Sequence, residues 1–99
     1  MDIYNIFSKL EFSPDREIEE LIFENEKIRL VRTASFGQDT DYYDQEELEI
    51  VKIEKGWAKL ELEGKILELK EGDILEILPH QIHRVIDQGK TIWLCIFVK

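Results

Sequence analysis

The second half of the chain is what most constrains its fold. From Leu48 to Lys99 it divides into six short segments, LEIVKIEK, WAKLELE, KILELK, DILEIL, HRVID and TIWLCIFVK. Gly-containing turns separate most of them, at Lys55-Gly56, Glu63-Gly64, Glu71-Gly72 and Gln88-Gly89. The segments are rich in Val, Ile, Leu and Trp and too short for stable helices, so they read as strands. Strands recurring at roughly eight-residue intervals with turn signals between them point to a β-sandwich or a small barrel.

Upstream, KIRLVRTASF alternates, with Ile28, Leu30, Arg32 and Ala34 on one side and Arg29, Val31 and Thr33 on the other. EIEELIF, Glu17 to Phe23, reads as its hairpin partner, turned back through Glu24-Asn25-Glu26. Helix propensity competes here, because Asp15 to Glu26 follows a Ser-Pro-Asp start and is Glu-rich. Residues 1–13 form a lead-in in which Ile3, Ile6, Phe7 and Leu10 have the spacing of a short helix. The expected organisation is one domain over residues 1–99: a lead-in over 1–13, an N-terminal hairpin over 17–35 and a barrel over 36–99.

A chain of 99 residues has too little surface to bury for two separate cores. Its 43% hydrophobic and 35% charged composition suits a globular domain. The net charge of −9 argues against nucleic acid and anionic membrane surfaces as partners, since both require clustered Lys and Arg. Cys95 is the only cysteine and cannot form an internal disulfide; MDIYNIFSKL has neither the basic start nor the apolar run of a secretory signal. Together these features place the expected compartment in the cytoplasm.

Strand parity singles out Glu49. With Lys52 and Glu54 facing solvent, Glu47, Glu49, Val51 and Ile53 fall on the opposite, inward face. A buried carboxylate needs a cation, a donor or a proton, and the inward partners open to it are a metal, the two histidines, Arg84, Tyr42 or Tyr43. Glu47 and Glu49 form a carboxylate pair that could also divide acid and base roles without a metal. Asp39, Asp41 and Glu46 read as solvated surface. Cys95, between Leu94 and Ile96, reads as packing rather than a nucleophile, and Trp57 and Trp93 as core or interface aromatics. The last strand is apolar on both faces, which predicts a homodimer.

The chain resembles the cupins. Gly56 lies seven residues after Glu49, and His83 lies eleven residues after Gly72, the first residue of a Gly-Asp pair. These are intervals of the two cupin motifs. Tyr43-Asp44-Gln45-Glu46-Glu47 and Thr91-Ile92-Trp93-Leu94 are similar to a subgroup of small single-domain cupins with a Tyr-Asp-Gln-acidic first motif. The chain departs from the usual pattern where two histidines are expected, offering Tyr43 and Gln45, or Tyr42 and Asp44. Leu78 stands in the usual place of the proline, and His80 where glycine is common.

The resemblance implies an all-β, double-stranded β-helix of jelly-roll type with an N-terminal hairpin. It also implies a polar cavity around Tyr43, Gln45, Glu49, His80 and His83 that binds a small molecule. A divalent metal (Mn, Fe, Ni or Zn) would take its ligands from His83, Glu49, Asp44, Gln45 and His80. Two histidines cannot supply the usual three-imidazole set, and the alternative is a former metal site whose residues hydrogen-bond one another. Three functional readings remain open: a ligand-binding cupin, a metal-dependent oxygenase, isomerase or epimerase with Glu47, Glu49 and His83 as candidate catalytic residues, or a structural or regulatory dimer with a filled barrel.

Overall fold

Eight strands follow one another in the computed structural model, which describes residues Met1–Lys99. They are β1 (Ile18–Glu24), β2 (Ile28–Phe36), β3 (Leu48–Lys55), β4 (Trp57–Leu62), β5 (Lys65–Lys70), β6 (Ile74–Ile77), β7 (His83–Gln88) and β8 (Lys90–Val98). All pairings are antiparallel. One sheet has the order β1-β2-β8-β3-β6 and the other β5-β4-β7. No helix is long and apolar enough to cross a membrane.

The helical alternatives do not form. β1 is a strand because it pairs with β2 from Ile18 opposite Ala34 to Glu24 opposite Arg29, and that ladder outweighs the helix propensity of its glutamates. Asn25 makes the turn: its Oδ1 accepts from the backbone N–H groups of Lys27 and Ile28 at 2.8 and 2.9 Å. Residues 6–9 are a turn rather than a helix, with Ser8 N–H donating to Asn5 O at 3.0 Å. The lead-in is held instead by Arg32, whose guanidinium donates to the carbonyls of Ile6 and Ser8 at 3.1 and 2.6 Å and pairs with Glu20 at 3.0 Å. Arg32 is only 4% exposed, so these acceptors supply the partners a buried cation requires.

The hairpin is continuous with the barrel. β2 runs beside β8 over nine registered pairs, from Ile28 opposite Val98 to Phe36 opposite Lys90, so β1 and β2 extend the larger sheet. Period-two alternation then places Val31, Val51, Ile53, Leu60, Ile77, Trp93 and Cys95 in one core between the sheets. Ile53 is completely buried.

Gly56 makes the close passage between β3 and β4. Its φ is +96°, and a Cβ there would collide with the carbonyl oxygen of Lys90 and sit 2.9 Å from Thr91 Cα. Beside it, the buried hydroxyl of Thr91 donates to Trp57 O at 2.9 Å. A second buried polar link closes the floor of the barrel: Trp93 Nε1 donates to Gln88 Oε1 at 2.9 Å, and Gln88 Nε2 donates to Gln38 O at 2.7 Å and Glu17 Oε1 at 3.2 Å.

Candidate functional site

Residues 37–47 are irregular but anchored along β7. Thr40 N–H donates to Val85 O at 3.0 Å, and Thr40 Oγ1 accepts from Val85 N–H at 2.9 Å. Tyr43 forms an isolated bridge with His83, exchanging two backbone hydrogen bonds at 2.7 and 3.1 Å. The Tyr43 and His83 rings stack with centroids 5.5 Å apart. Tyr43, from the first motif region, is thereby joined to the histidine of the second.

His83 and Glu49 face each other from opposite sheets, with Nε2 and Oε1 3.7 Å apart and both side chains more than nine-tenths buried. His83 Nδ1 lies 2.8 Å from the Gln81 carbonyl. A carbonyl can only accept, so Nδ1 carries a proton, and Nε2, on the side of the ring toward Glu49, is an acceptor whenever the ring is neutral. Gln45 Nε2 donates to Glu49 Oε1 at 3.1 Å and to Glu47 O at 3.3 Å. Burial raises the Glu49 pKa above the ordinary carboxylate range, while Gln45 and His83 pull it back in part. Burial likewise pushes the thiol of Cys95, beside Glu49 on the barrel floor, well above its ordinary range. That agrees with its reading as a packing residue.

These groups surround a cavity of about 170 Å³. Tyr43, Gln45, Glu49 and His83 all line it, joined by Arg29 and Phe97 and by the carboxyl-bearing Glu17 and Glu19 of the hairpin. This space between the sheets weighs against the filled-barrel reading. Inward parity holds for Glu49, Val51 and Ile53, all buried.

Three candidates lie elsewhere than the motif reading places them. Glu47 precedes β3, does not line the cavity, and accepts both guanidinium N–H groups of Arg29 at 3.0 Å each. It is thus neutralised by Arg29 rather than paired with Glu49 in acid–base work. Asp44 and His80 bind each other at 2.8 Å on the exposed rim and do not line the cavity. His80 adopts φ +64°, the left-handed conformation that explains why glycine is common at its place in the motif. Two proposed partners of Glu49 also point away: Arg84 Nε donates to Glu61 at 2.6 Å, and Tyr42 OH donates to the same carboxylate at 3.1 Å.

A divalent metal does not fit this donor set. Of the five proposed ligands, only Glu49, His83 and Gln45 converge, and Gln45 turns its amide NH2 rather than its oxygen toward Glu49, which leaves one imidazole and one carboxylate where three or more protein donors are usual. No three His, Cys, Asp or Glu side chains cluster as a ligand set anywhere in the chain.

Arg29, Glu17, Glu19 and Phe97 were not singled out by the sequence. The alternation Glu17, Glu19, Leu21 was the available signal, masked by the helix propensity of the same glutamates. Arg29 stood on the face of Val31 and Thr33, and only the folded register sets it over Phe97, 4.2 Å from the ring centroid.

The two antiparallel sheets, with the glutamate and histidine turned inward and the glycine passage at Gly56, give the chain the double-stranded β-helix fold seen in solved cupin structures. Solved structures agree over nearly the whole length. A protein from Ralstonia eutropha JMP134, provisionally named a mannose-6-phosphate isomerase, superposes with a TM-score of 0.93 at 26% identity, covering 100% of this chain and 99% of the other. An RmlC-like cupin from Desulfovibrio desulfuricans gives 0.84 at 18% identity, with 99% and 95% covered. A cupin superfamily protein from Desulfitobacterium hafniense DCB-2 gives 0.82 at 16% identity, with 90% and 83% covered. No protein-family model and no curated protein matches the sequence.

Proposed function

We propose that this cupin binds a small organic molecule in its barrel, with His83, Glu49, Gln45 and Tyr43 as the contact groups. The convergence of these four side chains on one open cavity carries the reading. His83 Nε2 has no hydrogen-bond partner within the fold although its side chain is only 6% exposed, and such a group favours a ligand that completes it. At about 170 Å³ the cavity is close to the ~150 Å³ that accommodates benzene, room for a small organic group.

Proton transfer is a second reading, favoured by the fixed His83 tautomer. Nε2 can take a proton from a bound molecule while Glu49, 3.7 Å away, stabilises the imidazolium. This is the acid–base form of the isomerase or epimerase alternative and needs no metal donor set.

A fragment screen followed by amide chemical shifts tests the binding reading. Ligand-induced shifts should concentrate at Tyr43, Gln45, Glu49 and His83 and be lost in His83→Ala. Hits that shift only surface residues would remove the assignment.

The outer face of the larger sheet supports a homodimer in the cytoplasm as the state that binds. Leu30 and Ile50 flank Ile96 from either side, next to Leu94, and all four stay partly exposed in the single chain. Sedimentation equilibrium of wild type and Ile96→Lys tests this: a monomeric wild type would overturn it.

A further inference from the structure

We propose that the cavity selects a small organic ammonium ion, because its carboxylates, its aromatic walls and the unpartnered Nε2 of His83 present acceptors and π faces, while its single guanidinium is already matched. This rests on the ligand-binding reading above and narrows it to a chemical class.

The charges are unevenly placed. Three acidic residues line the cavity: Glu17 just ahead of β1, Glu19 in β1 and Glu49 in β3, with β2 and β8 between β1 and β3 in the sheet. Arg29 is the only Lys or Arg there. Both of its terminal nitrogens are held by Glu47 at 3.0 Å, and its plane lies over Phe97, so its positive charge is satisfied from behind. A phosphate or carboxylate ligand would enter a space with three acidic groups and no uncommitted cation, which is costly in a partly desolvated site.

Hydrogen-bonding capacity points the same way. The Gln81 carbonyl holds the His83 proton on Nδ1, so Nε2 is an acceptor in the neutral ring. The second observation, independent of the acidic cluster, is that this nitrogen belongs to a side chain 94% buried and makes no hydrogen bond, its nearest polar neighbour being Glu49 Oε1 at 3.7 Å. Glu49 receives one bond from Gln45, and Glu17 one from Gln88 at 3.2 Å, which leaves acceptor positions open on both. An ammonium group supplies up to three donors and a charge that these acceptors favour.

The pKa directions are consistent with carboxylates short of a counter-ion. Burial raises Glu17 and Glu49, and the hydroxyl of Tyr43 is raised by burial and then by Glu17, Glu19, Glu49 and Asp41. The aromatic residues Tyr43, Phe97 and Trp93 also line the cavity, with Arg29 over one face of Phe97 and His83 stacked on Tyr43, and aromatic rings attract cations and tolerate an alkyl tail equally well. The cavity, at about 170 Å³, has room for a group of roughly the size of benzene.

The test is a matched series of n-butylammonium, choline, 1-butanol, butyrate and inorganic phosphate, titrated into the wild-type protein by NMR at constant ionic strength. The expected result is that n-butylammonium perturbs Tyr43, His83 and Glu49 amides at about tenfold lower concentration than 1-butanol, with no saturable effect of butyrate or phosphate. Choline binding as well as n-butylammonium would still support the class through the aromatic faces, whereas choline alone would overturn the role given to donated hydrogen bonds. Glu49→Gln and Glu17→Gln should each reduce the preference for n-butylammonium over 1-butanol severalfold, and the surface variant Glu61→Gln should not. Glu47→Gln, which releases Arg29, should shift selectivity toward butyrate. Equal or tighter binding of 1-butanol, butyrate or phosphate at these residues would overturn the ammonium class and leave the ligand-binding reading standing. Failure of all five probes to perturb the cavity, in wild type and in every folded variant, would overturn both.

Discussion

His83 Nε2 and Glu49 Oε1 stand 3.7 Å apart across the barrel, and the carbonyl of Gln81 decides what that pair can do by holding the other ring nitrogen at 2.8 Å. A long-range ¹H–¹⁵N spectrum at a pH where the ring is neutral should show the proton on Nδ1. An Nε2–H tautomer would mean that the ring donates to Glu49 instead, and both the acceptor role and the base role of Nε2 would have to be abandoned.

Stability should fall as pH rises above the ordinary carboxylate range. Glu17 and Glu49 have pKa values raised by burial, so the folded chain binds more protons than the unfolded chain between the ordinary and the raised values. Their favourable contribution is complete below that window and lost above it. Glu24 and Glu61, lowered by Lys99 and Arg84, act in the opposite sense below the ordinary range. Chemical denaturation of wild type and Glu49→Gln across pH 4 to 8 checks this: the variant should gain stability relative to wild type toward the alkaline end, and a constant difference would count against a raised Glu49.

Arg29 and Glu47 should be coupled by about 1 kcal/mol in a double-mutant cycle with Arg29→Met and Glu47→Gln. The geometry is bidentate, and the two side chains are 31% and 26% exposed, which screens the pair less than a fully solvated one. Coupling indistinguishable from zero in low salt would remove Glu47 as the group that neutralises Arg29.

Gly56→Ala should destabilise the fold by about 2 kcal/mol or more. Alanine would have to adopt φ +96° and displace either the Lys90 carbonyl or the Thr91 backbone. Gly64→Ala should cost less, because its φ is also positive but nothing lies within 4 Å of the added Cβ. Urea midpoints for the two variants give the comparison, and equal losses would show that conformation alone, not close approach, requires Gly56.

Gln88→Leu should cost about 1–3 kcal/mol by leaving the Trp93 indole N–H without an acceptor in the barrel floor. Calorimetric melting against wild type measures it. A neutral result would indicate that the floor repacks around the loss.

Most of the barrel was legible in the sequence because its signals are local. A strand announces itself by alternation over a few residues and a tight passage by its glycine, so β3 to β8 and the inward parity of Glu49, Val51 and Ile53 follow from neighbours in the chain. Motif spacing added His83, since intervals along strands and turns convert into positions on a barrel. The hairpin was less clear: β1 becomes a strand through its ladder with β2, a contact that its own glutamates oppose. Partner choice was out of reach. That Asp44 takes His80 on the rim, that Glu47 takes Arg29, and that Glu17 and Glu19 line the same cavity as Glu49 depend on pairs separated by many residues. The sequence alone determined which side chains of β3 turn inward, Glu49, Val51 and Ile53, because parity is a property of a single strand; it failed for Glu47, which precedes that strand. Tertiary structure decided which of those groups meet, because register between sheets and the path of residues 37–47 across β7 set the distances on which charge, hydrogen bonding and ligand choice depend.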